Sequence, residues 1–144
     1  MAPVSVFDVA KYILESQKPM TTMKLQKLVY YCQAWSLVWD DEPLFTEEIE
    51  AWANGPIVRE LFCEHRGQFM ISKLEQGNIG VLNPNQIDTI NTVLSYYGDK
   101  SSQWLSNLTH SEAPWRDARE GLSDSERGSR VISHGSMAEY YSSL

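Results

Sequence analysis

Several features of many proteins are missing from this 144-residue sequence. No apolar run approaches the roughly 18 residues that a membrane span needs, and the first twenty residues carry spread charges that do not suit a secretory signal. The chain is therefore expected to be one domain located in the cytoplasm. Only two cysteines occur, Cys32 and Cys63. In a reducing compartment we expect both to be buried free thiols rather than a disulfide.

A basic surface is also missing. The net charge is −7, and residues 41–64 alone hold seven acidic residues against the single Arg59. Nucleic-acid binding requires lysines and arginines that displace counterions from phosphates, so a nucleic-acid partner is not expected. The acidic stretch is typical either of a solvated face or of a surface that attracts a basic protein partner.

Catalytic and metal-binding motifs are absent as well. Cys63 and His65 lie close in sequence, but they lack the paired ligand spacing of a zinc site, so neither a metal nor a cofactor is expected. His110 and Glu112 could form an acid–base pair, which leaves a small enzyme as one alternative. The favoured interpretation is structural, with His110 hydrogen-bonding a helix terminus and fixing the turn before Pro114.

The strongest positive pattern is an unbroken run from about residue 22 to residue 39. Apolar residues cover nearly the whole circumference of a helix here, and from residue 23 onward the run holds no glycine, proline, asparagine or aspartate. Such a helix is usually the buried centre of a domain. Its two charges, Lys24 and Lys27, lie in the first turns, where we expect them to reach water or to pair with the acidic segment. The predicted fold class is mainly α, a compact helical bundle around this helix.

Local patterns predict the neighbouring elements. Capping residues predict helices that begin after Ser5, Asn83 and Ser136, and Pro56 suits the first turn of another helix. Residues near 44–53 lean towards period two, which predicts at most a small β-hairpin or an extended segment.

The sequence contains five tryptophans without interleaved arginines and lysines, so most of them are expected in the core rather than at a base-stacking surface. Trp52 is the exception, because it lies among acidic residues just before a turn, and core and interface roles are equally open there. The residues predicted to bind a partner are Glu47, Glu48, Glu50, Trp52, Asn54 and Arg59.

Four blocks of the sequence, in family order, resemble the Panacea domain of SocA-like antitoxins and phage-associated GepA-like proteins. They are VAKYIL at 9–14, KLQKLVYYCQAW at 24–35, EAWANGPIV at 50–58 and LTHSEAPW at 108–115. The resemblance implies a Panacea domain over residues 1–120, with a flexible loop and short C-terminal helix of the same domain at 121–144. The signature residues, which the resemblance implies are structural, are Lys24, Leu25, Gln26, Lys27, Leu28, Tyr30, Tyr31, Trp52, Gly55, Pro56, Thr109, His110, Pro114 and Trp115.

The same resemblance implies a function. It indicates a bacterial or prophage antitoxin that neutralises a cognate protein toxin by direct binding, without catalysis. An adaptor that delivers the toxin to a ClpXP-type protease is the alternative among binding proteins. The resemblance implies no cofactor and no membrane partner. The identity of the toxin and the oligomeric state are not fixed by the sequence.

Overall fold

The computed structural model describes residues 3–144, and seven α-helices lie within that range. The helices are α1 (Val6–Ser16), α2 (Thr22–Trp39), α3 (Arg59–His65), α4 (Pro84–Tyr97), α5 (Ser102–Ser111), α6 (Ala113–Ala118) and α7 (His134–Ser142). Four short strands form two antiparallel pairs, β1 (Met20–Thr21) with β4 (Met70–Ile71) and β2 (Glu50–Trp52) with β3 (Gly55–Ile57). The predicted mainly α fold class is confirmed.

Helix α2 lies at the centre of the bundle, and α1, α4, α5 and α7 pack against it. Thr21 caps its first turn by accepting a hydrogen bond from Lys24 N at 3.1 Å. The buried side chains Leu25, Leu28, Val29, Tyr30, Tyr31, Cys32 and Ala34 are each at most 1% exposed. The bounds of this helix are those predicted from its apolar circumference. The prediction that Lys27 reaches water is wrong, because this side chain is 0% exposed.

Side-chain hydrogen bonds begin α1 and α4 at the predicted positions. Ser5 and Asp8 form a complete capping box, in which Ser5 N donates to Asp8 Oδ2 at 2.9 Å. Asn83 and Gln86 form a second one, with bonds of 2.8 and 2.9 Å. Each box satisfies backbone N–H groups that the first turn of a helix leaves free.

The hairpin β2–β3 corrects the predicted position of the next helix. Pro56 does not begin a helix but pairs with Ala51 in the hairpin, and α3 begins only at Arg59. The buried amide of Gln26 explains the delay, because it accepts from Val58 N at 2.9 Å and donates to Val58 O at 3.3 Å. These two bonds hold the chain extended up to Val58, so the helix begins at Arg59, three residues after the predicted start.

A second buried glutamine of α2 holds the start of the same segment. Gln33 Oε1 accepts from Leu44 N at 2.7 Å and from Phe45 N at 3.2 Å, while its Nε2 donates to Phe45 O at 3.0 Å. Buried backbone groups of an irregular segment need such partners, since an unpaired one costs about 1–3 kcal/mol. Gln33 and Gln26 therefore attach the two ends of the segment 44–58 to the central helix.

The segment predicted as a loop, 121–136, covers the outer edge of β2. Ala51 N donates to Arg130 O, and Ile132 N donates to Ile49 O, both at 2.8 Å. Ile132 is 1% exposed, so this part of the segment contributes to the core. The mobility expected of the segment stays a prediction.

The C-terminal helix α7 begins earlier than the sequence pattern indicated. Ser133, not Ser136, is the N-cap, and its Oγ accepts from Ser136 N at 3.1 Å. The predicted capping box of Ser136 and Glu139 is therefore wrong, because Ser133 caps the helix one turn upstream and Ser136 lies within the first turn.

The replacement Ser133→Ala should lower the free energy of unfolding by about 1 kcal/mol, the usual effect of removing an N-cap. Ser136→Ala should change it by less than about 0.5 kcal/mol, because the Ser136 hydroxyl donates only to Ser133 O and lies within the helix. Urea unfolding of the two variants measures the difference. Equal losses would contradict the assignment of Ser133 as the cap.

The two cysteines have different environments. Cys32 is buried in α2, whereas Cys63 is exposed, and both are free thiols. The expectation that both are buried is wrong for Cys63. In α3 the buried residues are Leu61 and His65, and Cys63 lies two positions from each, on the opposite side of the helix.

Candidate functional site

Signature residues from three separate segments converge where the hairpin turn meets α2 and the end of α5. We call Lys27, Gly55, Thr109, His110 and Trp115 the lysine cluster. A Cβ atom added to Gly55 would lie 2.5 Å from Lys27 Cε and 3.3 Å from Thr109 Oγ1. Gly55 also has a φ of +114°, which side chains rarely adopt. Glycine is therefore required at this turn for both space and backbone conformation.

Lys27 is the most unusual group in the cluster. Its ammonium nitrogen is sealed from solvent and has no hydrogen-bond partner among residues 3–144. Burial lowers the pKa of Lys27 from 10.5 to about 7, because a low-dielectric surrounding disfavours the charged form. The expected pairing of Lys27 with the acidic segment is wrong. Lys24 does not pair with that segment either and donates to Gly98 O at 2.7 Å.

Trp115 joins the lysine cluster to the hairpin. Its Nε1 donates to Trp52 O at 2.7 Å, and its ring stacks on His110 with the centroids 4.1 Å apart. The Arg119 guanidinium lies 5.1 Å from the Trp115 ring and donates to Ala51 O at 2.9 Å. The sequence reasoning missed Arg119. The available signal was its position four residues after Trp115, on the same face of a helix.

Glu112 lies at the junction of α5 and α6 within a network of tyrosines. Its Oε1 accepts from Tyr31 Oη and from Tyr141 Oη, each at 2.7 Å. The Tyr141 proton is used there, so Tyr30 Oη must donate the 3.0 Å bond to Tyr141 Oη. Burial raises the pKa of Glu112, and the two tyrosine hydrogen bonds partly oppose that rise. Tyr141 was not predicted as a site residue.

His110 and Glu112 form no hydrogen bond with each other among the described residues, so the predicted acid–base pair is not formed. His110 stacks on Trp115, and its Nε2 is buried without a hydrogen-bond partner in the described part of the chain, so the predicted bond to a helix terminus is not formed through that atom. Glu112 is held by tyrosines instead. Burial and the nearby charge of Lys27 lower the pKa of His110.

The six residues predicted to bind a partner do not form one free surface. Glu47 accepts from Ser5 Oγ at 2.6 Å and from Val6 N at 2.8 Å, which fixes it at the start of α1. Glu50 accepts from Arg59 and from Trp52 Nε1, both at 2.8 Å. Glu48 is exposed.

The remaining members of that set do lie together. Trp52, Asn54 and Arg59 line a cavity of about 650 Å³ between the hairpin and residues 125–129. The Arg59 guanidinium lies 5.4 Å from the Trp52 ring, whose other neighbour is Phe62. Trp52 is half-buried, and both of the roles expected for it, core and interface, stay predictions. We call this cavity the hairpin cavity.

Aromatic residues make up half of the lining of a second cavity of about 650 Å³. This aromatic groove lies between α2, α4, α5 and α7, and its lining residues are Trp35, Trp39, Thr92, Val93, Tyr96, Tyr97, Trp104, Leu108, Ser111, Glu112, Tyr140 and Leu144. Trp39 is 48% exposed, Tyr96 66% and Trp104 42%. The expectation that most tryptophans are core residues is wrong, since only Trp115 of the five is buried.

The described residues hold no group of three or more histidine, cysteine, aspartate or glutamate side chains placed to bind a metal. None of the helices in residues 3–144 has the length and apolar character required to cross a membrane.

One family model matches the part of the chain that forms most of these sites. The family model "Antitoxin SocA-like, Panacea domain" matches residues 25–116, well over half of the 144-residue chain. The chain belongs to this family of SocA-like antitoxins, and an antitoxin role in general follows from that membership. The matched region contains all of the lysine cluster and most of the aromatic groove. No curated protein and no solved structure matches the chain.

Proposed function

We propose that the protein is a cytoplasmic antitoxin that neutralises its cognate protein toxin by direct binding at the aromatic groove, without catalysis. The observation that carries this proposal is the exposure of Trp39, Tyr96 and Trp104 along one groove. Tryptophan and tyrosine dominate the residues whose truncation most weakens protein interfaces. Large exposed apolar patches on a soluble domain also mark interaction sites.

The other predicted surface is less suited to this role. Glu47 and Glu50 already use their carboxylates within the fold, and the Trp52 ring already contacts Arg59 and Phe62. A stable complex needs about 800 Å² buried on each partner. The groove, bounded by four helices, offers a broader aromatic surface than the hairpin cavity.

The double variant Trp39→Ala/Trp104→Ala should bind the toxin at least about 100-fold more weakly, because two anchor side chains are lost. The matched control is Asn54→Ala/Arg127→Ala, which alters the hairpin cavity and should leave binding within about threefold. The toxin is the product of the neighbouring gene, co-expressed with each antitoxin variant in a bacterial host. Growth reports neutralisation, titration calorimetry reports affinity, and thermal unfolding confirms that each variant is folded.

Two outcomes would contradict different parts of the proposal. If the toxin remains toxic in the presence of the parent protein, the neutralising function is wrong. If the hairpin-cavity variant loses binding and the groove variant keeps it, the function stands but the surface is wrong. Delivery to a ClpXP-type protease remains the alternative. It predicts that the toxin's lifetime in cells shortens only when the protease is present, whereas direct neutralisation leaves protection intact in cells lacking the protease.

A further inference from the structure

The aromatic groove contains one charged side chain among its lining residues, the carboxylate of Glu112. Both tyrosine hydrogen bonds, from Tyr31 and Tyr141, go to its Oε1. The second oxygen, Oε2, accepts no hydrogen bond from residues 3–144. Among residues 3–144, the buried side-chain atoms that have neither solvent contact nor a hydrogen-bond partner are Lys27 Nζ, His110 Nε2 and Arg119 Nε. Glu112 Oε2 has no partner and is not one of these atoms, so it must be accessible to solvent. Because Glu112 lines the groove, we infer that this oxygen faces it.

No positive group among residues 3–144 forms a salt bridge with this carboxylate. Within the described range the salt bridges are Arg59 with Glu50 and Lys100 with Asp99, and neither involves Glu112. Glu112 is only 5% exposed, and burial raises its pKa. A largely desolvated carboxylate gains more from a cation than an exposed one does, since solvent does not screen the pair.

The aromatic rings that line the groove together with Glu112 also suit a cation. The faces of aromatic rings carry negative potential and attract ammonium and guanidinium groups, most strongly at tryptophan. In this groove the ring of Trp104 already has Lys100 Nζ at 5.3 Å from its centroid. Trp35 and Trp39 both line the groove, and their rings are stacked with the centroids 5.0 Å apart.

We propose that the aromatic groove binds an arginine side chain that projects from an apolar segment of the protein partner, with the guanidinium against Glu112 Oε2. Arginine is preferred over lysine because its planar, weakly hydrated guanidinium stacks on aromatic rings and pairs with a carboxylate through directed N–H groups. The net charge of −7 attracts a basic partner over longer distances. This inference rests on the proposed function for the identity of the partner, but the chemistry of the site can be tested without it.

The direct test uses 2-phenylethylguanidinium and its neutral analogue 2-phenylethylurea as probes, with binding followed by tryptophan fluorescence and by NMR. The parent protein should bind the guanidinium at least fivefold more tightly than the urea. Glu112→Gln should lose this preference while staying folded, because the glutamine Oε1 can still accept from both tyrosines. Glu48→Gln, which removes the same charge from an exposed position outside the groove, should keep the preference.

A second variant covers the case in which Glu112→Gln does not fold. Thr92→Lys places a cation at the exposed edge of the groove and should abolish the guanidinium preference, while Thr92→Met should retain it. Failure of the parent to bind either probe, or an unchanged preference in Glu112→Gln or in Thr92→Lys, would overturn the site.

The toxin arm tests the identity of the partner. Glu112→Gln should bind the toxin at least tenfold more weakly, and replacement of one toxin arginine by methionine should have no further effect in that variant. Equal toxin binding by the parent and Glu112→Gln would overturn the assignment of the arginine to the toxin. A toxin that binds the parent but does not lose toxicity contradicts the proposed function instead, and leaves the result with the two probes unaffected.

Discussion

Replacing Lys27 with methionine should raise the free energy of unfolding at pH 7 by about 3–5 kcal/mol. The buried amine has no partner among residues 3–144, and its pKa falls from 10.5 to about 7 in the folded protein. Each unit of that difference corresponds to about 1.4 kcal/mol of unfavourable interaction with the charged form. Methionine fills similar volume without a group that requires solvation.

The size of this stabilisation should depend on pH. Between pH 7 and pH 9 the unfolded chain carries a protonated Lys27 and the folded protein a mostly neutral one, so the unfolded state binds more protons. The destabilising effect of Lys27 therefore shrinks as the pH rises from 7 to 9, by at most about 1.4 kcal/mol per unit, and it is fully present below pH 7. The advantage of Lys27→Met should shrink by about 2–3 kcal/mol between pH 7 and pH 9.

Urea unfolding of the parent and the variant at pH 7, 8 and 9 measures both effects. The control is Lys73→Met, an exposed position where the difference from the parent should stay within about 0.5 kcal/mol at each pH. A destabilised Lys27→Met variant, or a difference that does not change with pH, would show that the amine is compensated in the folded protein.

The replacement Gly55→Ala should destabilise the protein by about 2–6 kcal/mol. The added Cβ would lie 2.5 Å from Lys27 Cε and 3.1 Å from its Nζ, and neither atom has free space because the lysine is fully buried. The φ of +114° adds backbone strain of about 1–3 kcal/mol, and overpacking in a filled core adds a comparable amount.

Gly135→Ala is the matched control for this prediction. Gly135 lies in α7 with open space around its Cα, so alanine there should leave stability unchanged or raise it by up to about 1 kcal/mol through helix propensity. Thermal and urea unfolding of both variants decide the matter. A Gly55→Ala variant as stable as the parent would mean that the turn and Lys27 shift easily, and the proposed packing of the lysine cluster would then be wrong.

Sequence patterns succeeded where the governing contacts are local. The apolar circumference of α2 and the capping boxes of α1 and α4 depend on residues three or four positions apart, so they can be recognised without the fold. The prediction for Pro56 failed because a glutamine 32 positions away holds Val58 extended. The cap of α7 was predicted at the wrong serine, because Ser133 and Ser136 both suit an N-cap and the local pattern does not distinguish them.

The candidate sites show the same division. The family signature identified Lys27, Gly55, Thr109, His110 and Trp115, yet polarity alone placed Lys27 near water. The aromatic groove was not predicted, because large apolar side chains such as those of Trp39 and Trp104 are usually expected in the core. Tyr141, which completes the Glu112 network, lies 29 residues from Glu112 and 111 from Tyr30, and no periodicity connects positions so far apart.

The sequence by itself determined the class of the fold, the central helix and the family. Helix-forming periodicity and end capping are properties of short segments, and they persist whatever the segments pack against. Only the tertiary structure decided which polar groups are buried without charge partners and which aromatic rings stay exposed. Burial depends on the whole arrangement of helices around α2, and burial sets the pKa of Lys27 and the environment of Glu112.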